Sequence, residues 1–136
     1  MSESGRAADG HSVADAALAA RYGERTRRAL LDILDFGGMA AELVGRGRAS
    51  YDGDRQLRLA GEAIIIRLGE AAGRLSDVFV DEHPAIPFRT LRGMRNLVAH
   101  EYHRTDAAVL WATLQDALPP LLDQVAALLA AEEPPT

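Results

Sequence analysis

The chain contains no cysteine and no lysine, and all 15 of its basic residues are arginine. Without cysteine it can form neither a disulfide framework nor a thiolate metal site. Without lysine it cannot carry the glycine-rich phosphate loop that ends in that residue. No uninterrupted apolar run approaches the roughly 20 residues that span a bilayer. These absences exclude disulfide-stapled proteins, P-loop nucleotidases and helical membrane proteins.

Aromatic residues are also scarce, with one Trp, three Tyr and three Phe among 136 residues. Alanine and leucine, which favour helices, dominate instead, and β-branched residues are thin outside short stretches. The length suits one domain, and a hydrophobic fraction of 48% is enough to build a core. The composition therefore predicts a single all-α domain.

The first ten residues are polar and acidic and lack the apolar stretch of a secretory signal. We therefore expect a cytoplasmic protein with no membrane association, in which residues 1–13 form a flexible tail and residues 14–131 form the helical domain. The net charge of −5 argues against a protein that coats long nucleic acids. It leaves open an enzyme that needs positive charge only at an RNA-binding cleft.

Hydrophobic spacing predicts where the helices lie. The chain becomes helical from Val13, Gly45-Arg46-Gly47 ends the first long helix, and Ser50 to Gly53 forms a turn. A second helix carries a clear apolar stripe at three- and four-residue spacing, made of Leu57, Gly61, Ile64, Leu68 and Leu75. Glycine in a helix interior costs about 1 kcal/mol relative to alanine. We therefore expect a neighbouring helix to approach closely at Gly61, Gly69 and Gly73.

Prolines mark the next boundaries. The segment from Asp81 to Pro87 cannot be a helix interior, and Pro87 suits the first position of a new helix that runs to about Tyr102. Thr105-Asp106 is a candidate N-cap for a further helix, which Pro119-Pro120 should kink or restart. The pattern predicts an antiparallel bundle of four to five helices.

Candidate chemical groups are concentrated in one segment: Arg89, Arg92, Arg95, Asn96, His100, Tyr102, His103 and Arg104. On a helix, Arg95 and Tyr102 fall within about 20° of each other, and Asn96 and His100 lie about 100° and 140° from Arg95. Histidine can take a proton from a ribose 2′-hydroxyl near neutral pH. Arginine can hold the phosphate on which charge develops. One broad helical face could thus cleave RNA without metal.

The spacing alone is weak evidence, because Arg and His five residues apart occur by chance in an arginine-rich chain. A solvated or interface face is the more frequent explanation of such a pair. His83 and His103 are more often structural or exposed than catalytic, and Trp111 is expected in the core or in a dimer interface.

Longer sequence patterns carry more information. The stretch from Arg95 to Tyr102 matches R-x4-H-x-Y with Asn after the Arg, and it resembles the signature of the HepT toxins, a branch of the HEPN superfamily. The G-E-A-A segment at 69–72 and the H-P-x-I-P-aromatic connection at 83–88 resemble the same family. So does the run formed by Asp106, Trp111 and 116–119. The likeness covers about residues 24–130.

The resemblance implies a HEPN-like homodimer in which both motifs share one cleft. It implies a metal-independent endoribonuclease that needs no cofactor and acts on RNA with Arg95 and His100 as catalytic residues and Asn96 in support. Arg89, Arg92, His103 and Arg104 are candidate phosphate contacts. The implied partner is a nucleotidyltransferase (MntA-like) antitoxin of a type VII-like system, which transfers AMP to Tyr102.

Two alternatives stay open. The chain could be a catalytically silent HEPN module that only binds its nucleotidyltransferase partner, or a plain helical dimer whose Arg/His face is incidental. The presence of both Arg95 and His100 favours the enzyme. His103 departs from the family pattern, in which an apolar or aromatic residue is common after the tyrosine, and the first 20 or so residues have no counterpart.

Overall fold

The computed structural model describes residues 13–14, 16–101 and 107–130, except for the side chains of 97–101. Within these ranges every regular element is helical, which confirms the all-α prediction. The elements are α1 (Glu24–Gly45), α2 (Arg48–Gly53), α3 (Arg55–Gly73), α4 (Asp77–Glu82), α5 (Phe88–Glu101), α6 (Ala107–Ala112), a π-helical turn (Thr113–Ala117) and α7 (Leu118–Ala130). The predicted tail up to residue 12 and the Thr105-Asp106 cap lie outside the described residues.

Helix α3 lies at the centre of the bundle. It packs against α1 on one side and α5 on another, and α7 packs against α1. Most of the predicted apolar stripe is buried, with Leu68 fully inaccessible to solvent, whereas Leu57 is only partly buried. Ile65, which lies outside the predicted stripe, is also fully buried. Leu30 and Ile33 of α1 and Val125 of α7 complete this core. None of the described helices is both long and apolar enough to cross a membrane.

The ends of the first long helix agree only in part with the positions predicted from the sequence. α1 ends at Gly45, as predicted, and the chain passes Gly47 with φ of 89°. The helix that begins near Val13 is interrupted at Gly23, where φ is 100°, a value that favours glycine. Residues 16–22 before this break are helical.

The turn predicted from Ser50 to Gly53 is wrong, because this segment belongs to the short helix α2. Tyr51 accounts for the difference. Its side chain is fully buried, and its ring lies 5.1 Å from the Trp111 ring. Arg48 pairs with Asp52 one turn later on the outer face. Burial of one aromatic residue therefore overrides the local turn preference of the Asp-Gly sequence.

The predicted break before α5 is confirmed, and it contains a short helix that the sequence did not reveal. Ser76 caps α4 by accepting a hydrogen bond from the amide of Phe79 at 3.0 Å. His83 ends α4 with its Nδ1 2.8 Å from the carbonyl oxygen of Phe79, and its ring lies against the Phe79 ring. This histidine is structural, as expected. α5 then begins directly after Pro87.

The proline pair neither stops the last helix nor starts a separate one. The chain is helical without a break from Ala107 to Ala130, and the interruption takes the form of the π turn just before Pro119. The amide of Leu118 donates to the carbonyl oxygen of Thr113, the five-residue spacing of such a turn. Trp111 upstream is buried in the core, and its Nε1 donates to Gln115 at 2.7 Å.

Candidate functional site

The candidate site lies on α5, and a glycine of α3 determines how close α5 can come. A β-carbon at Gly69 would lie 2.4 Å from Cβ of Arg95, 3.1 Å from its amide nitrogen and 3.1 Å from the carbonyl oxygen of Leu91. Optimal carbon–carbon contacts are about 3.5–4.0 Å. The helices therefore touch backbone to backbone at the level of Arg95, which is possible only because residue 69 has no side chain.

The expectation of close approach is thus confirmed at Gly69 and also at Gly61. A β-carbon at Gly61 would lie 3.2 Å from side-chain atoms of Tyr51 and of Leu114. The expectation is wrong at Gly73, where nothing lies within 4 Å of the same position, because Gly73 is exposed at the end of α3. Close packing is therefore local to the middle of α3.

Arg95 itself is exposed on α5, although its backbone is pressed against α3. Within the part of the chain that the structure describes, no hydrogen bond or ion pair engages its guanidinium group. The neighbouring Asn96 is exposed as well. The guanidinium of Arg95 is exposed and permanently charged, and its backbone is held by the contact with α3, so this residue is suited to bind a phosphate group from solution.

Arg92 has a different environment one turn earlier on α5. Its Nε donates to the carbonyl oxygen of Ala72 at 2.8 Å, and its Nη2 donates to that of Leu75 at 2.9 Å. Its Nη1 lies 3.4 Å from Oδ1 of Asp77. The last carbonyls of a helix lack partners within it, and a cation at this end is favourable. The guanidinium of Arg92 thus fastens α5 to the C-terminal end of α3.

Arg89 forms an ion pair with Asp81 on the surface, and both side chains are more than half exposed. The structure thus separates the three arginines of α5 that the sequence groups together. Arg92 is committed to main-chain carbonyls and Arg89 to an exposed carboxylate, whereas Arg95 is exposed. The phosphate-binding roles assigned to Arg89 and Arg92 stay predictions.

The remaining candidates lie at the end of α5 or beyond it. Residue 100 belongs to the helix, which continues to Glu101, so it follows Arg95 by about 7.5 Å along the axis and about 140° around it. The side chain of His100 lies outside the described atoms. Tyr102, His103 and Arg104 lie outside the described residues altogether.

A small apolar cavity adjoins α5. It has a volume of about 50 Å³ and lies between Leu91, Met94 and the π turn with the start of α7. Ligand pockets in proteins usually occupy about 300–1,000 Å³. This cavity is therefore too small for a nucleotide. Among the described residues, no group of three or more His, Asp or Glu side chains is placed to hold a metal ion.

Sequence reasoning missed two features of this site. The position of Gly69 at the level of Arg95 and the anchoring of Arg92 on Ala72 and Leu75 both join α3 to α5. The presence of Gly69 inside a helix was a partial signal, since it predicted the close approach of a neighbouring helix without saying which one. Nothing local to Arg92 distinguishes it from Arg89 or Arg95.

The fold and this site define a class, the helical bundles in which one helix carries an exposed arginine and, five positions later in the sequence, a histidine. Comparison with known proteins narrows the class. The family model described as HepT-like, "Ribonuclease HepT-like", matches residues 33–128. The chain belongs to this HepT-like ribonuclease family, the HepT branch of the HEPN superfamily.

The individual relatives that match the chain also have names that describe ribonucleases. A candidate RNase of Caldanaerobacter subterraneus subsp. tengcongensis is 32% identical over 66 residues, 48% of this chain and 59% of that protein. A candidate ribonuclease HepT of Thermococcus cleftensis is 32% identical over 68 residues, 50% of this chain and 62% of that protein. The matches thus span about three-fifths of the relatives' own length. No solved structure matches the chain.

Proposed function

We propose that this protein is an endoribonuclease toxin that cleaves RNA without a metal ion, with Arg95 and His100 as its catalytic residues. The observation that carries the proposal is the placement of Arg95. Its backbone packs directly against Gly69 and its guanidinium is exposed, five residues before His100 on the same helix. Membership of the HepT-like ribonuclease family supports the same activity.

The proposed reaction is an internal transfer at phosphorus. His100 takes the proton of a ribose 2′-hydroxyl, and the oxygen attacks the adjacent phosphorus. The bond from phosphorus to the 5′-oxygen of the next nucleotide breaks, and that oxygen takes a proton from an acid. Arg95 stabilises the negative charge that grows on the phosphate oxygens. The products are a 2′,3′-cyclic phosphate and a 5′-hydroxyl end.

We further propose a homodimer with two motifs in one cleft, because one His and one Arg leave the second proton transfer without a group. Facing copies would let one His100 act as base and the other as acid, with Asn96 orienting the phosphate. His103 and Arg104 would add affinity for RNA. Light scattering should give twice the mass of the chain.

The proposed control is adenylylation of Tyr102 by a nucleotidyltransferase antitoxin in a type VII-like pair. AMP on this residue would bring bulk and negative charge into a cleft that must receive RNA phosphates, so it would block the site both sterically and electrostatically. Intact mass after co-expression should show added AMP units, which Tyr102→Phe should abolish. A neutralised toxin with an unmodified Tyr102 would indicate inhibition by binding alone.

The activity is tested by incubating tRNA and mRNA with purified protein in EDTA. Wild type should cut and leave cyclic phosphate ends, whereas Arg95→Ala and His100→Ala should lose at least about 100-fold in rate. Arg67→Ala is the control, since that arginine is exposed on α3, has no proposed role in the site and should keep most activity. A requirement for Mg²⁺ would contradict the mechanism. An inert wild type with unmodified Tyr102 would favour the silent binding module.

A further inference from the structure

The contact between α3 and α5 is closest at the residue proposed to bind phosphate. At Gly69 the obstacles to a side chain are the Cβ and amide of Arg95 and a carbonyl oxygen of the same helix, with the nearest distance 2.4 Å. These are backbone atoms or the first side-chain atom, so they cannot move without moving α5 itself. At Gly73, one turn further along α3, the same test finds nothing within 4 Å.

A second fixed point lies one turn before Arg95. Arg92 holds the carbonyl oxygens of Ala72 and Leu75 with two hydrogen bonds of 2.8 and 2.9 Å. The first contact sets how closely α5 can approach α3, and the second fixes α5 to the C-terminal end of α3. Together they constrain the backbone of Arg95 in two directions while leaving its guanidinium exposed.

We propose that Gly69 and Arg92 are positioning residues, which act on RNA cleavage by fixing where the guanidinium of Arg95 stands. The proposal rests on the ribonuclease function proposed above. Neither residue contacts the reacting atoms in it. A side chain at position 69 would have to separate the helices by about 1 Å to reach an ordinary carbon contact. A displacement of that size at a catalytic group can lower the rate by about 100-fold.

The same observations would follow if Gly69 served only to pack the core. The two roles differ in what they change in the folded protein. A packing role predicts a less stable enzyme whose folded fraction is fully active. A positioning role predicts a folded enzyme with a lower kcat and a nearly unchanged KM, because the affinity for RNA comes from many phosphate contacts.

The experiment compares Gly69→Ala with Gly73→Ala, the same substitution in the same helix. Both are assayed at a temperature where circular dichroism shows full helix content. Gly69→Ala should lower kcat by about 10- to 100-fold with KM within about threefold. Gly73→Ala should match wild type. Because the chain has no cysteine, two can be introduced at the exposed positions Arg67 and Gly93 for spin labels, whose separation should grow by about 1 Å in Gly69→Ala only.

Each result has one meaning. A wider separation together with a lower kcat supports the positioning role. An unchanged separation, or full kcat in spite of a wider one, overturns it. A wild type that cuts no RNA overturns the ribonuclease proposal itself, and the role in cleavage with it.

Arg92→Lys covers the case in which Gly69→Ala does not fold. It keeps the charge but loses the forked donors that reach two carbonyls. It should lower kcat about 3- to 10-fold, whereas Arg67→Lys, at an exposed position on α3 with no proposed role, should not. Equal activity of these two lysine variants would also overturn the proposal.

Discussion

Replacement of Arg92 by alanine is expected to destabilise the fold much more than replacement of Arg89, three residues earlier on the same helix. Arg92→Ala removes two good hydrogen bonds and one long ionic contact, and the side chain of Arg92 is only 24% exposed. Hydrogen bonds to charged groups contribute about 1.5–3 kcal/mol each. At the rim of the bundle, water can replace part of this hydrogen bonding when the arginine is removed. We therefore expect a loss of about 2–3 kcal/mol in the free energy of unfolding.

Arg89→Ala provides the comparison. The Arg89–Asp81 pair has side chains 63% and 61% exposed. Exposed ion pairs typically contribute about 0.2–1 kcal/mol. Urea unfolding followed by circular dichroism measures both variants, and the slope against urea should stay constant. For slopes of about 1–3 kcal/mol per molar urea, the Arg92→Ala midpoint should fall by about 0.7–3 M. A shift equal to that of Arg89→Ala would refute the assignment of Arg92 as the anchor between α3 and α5.

Three further variants test other parts of the fold. The hydroxyl of Tyr51 is buried without a hydrogen-bond partner among the described residues, so Tyr51→Phe should be neutral or stabilising by about 1 kcal/mol in urea unfolding; a loss of that size would indicate a partner. Gly38 is exposed within α1 with nothing within 4 Å of a β-carbon, so Gly38→Ala should raise the unfolding free energy by about 1 kcal/mol, and a decrease would contradict the open surface. Hydrogen bonds from Tyr22 and Arg21 hold the pKa of Glu82 below its usual range in the folded protein. These bonds therefore stabilise residues 16–22 fully above the ordinary glutamate pKa, and this stabilisation is lost as the pH falls through the lower pKa of the folded state. Hydrogen exchange at residues 16–22 should accelerate in that window relative to Glu82→Gln at matched pH, and an identical response of the two proteins would be inconsistent with this.

Much of the fold was predictable because its signals are local. The stripe of α3 follows from hydrophobic spacing, and the start of α5 follows from the fixed φ of Pro87. The end of α1 follows from Gly47, which adopts a φ that favours glycine. Each of these features is decided by a few neighbouring residues, so the sequence contains enough information to place it.

The features that sequence reasoning missed depend on contacts between distant segments. Tyr51 converts a predicted turn into α2 because its ring is buried beside Trp111, 60 positions later. Arg92 anchors α5 because the carbonyl oxygens of Ala72, near the end of α3, and of Leu75, just after it, lie within its reach. In the candidate site, the identity of Arg95 came from its motif, but its exposed guanidinium and its closely packed backbone became visible only in the packing of the two helices.

The anchor formed by Arg92 has a consequence for how this chain can change over evolutionary time. Its two closest partners are main-chain oxygens, which every amino acid provides, so substitutions at positions 72 and 75 need not abolish the bonds. The Arg89–Asp81 pair, in contrast, requires two particular residues at once. The anchor therefore depends on the codon of Arg92 alone, and the constraint on positions 72 and 75 comes from their burial in the core and not from the anchor.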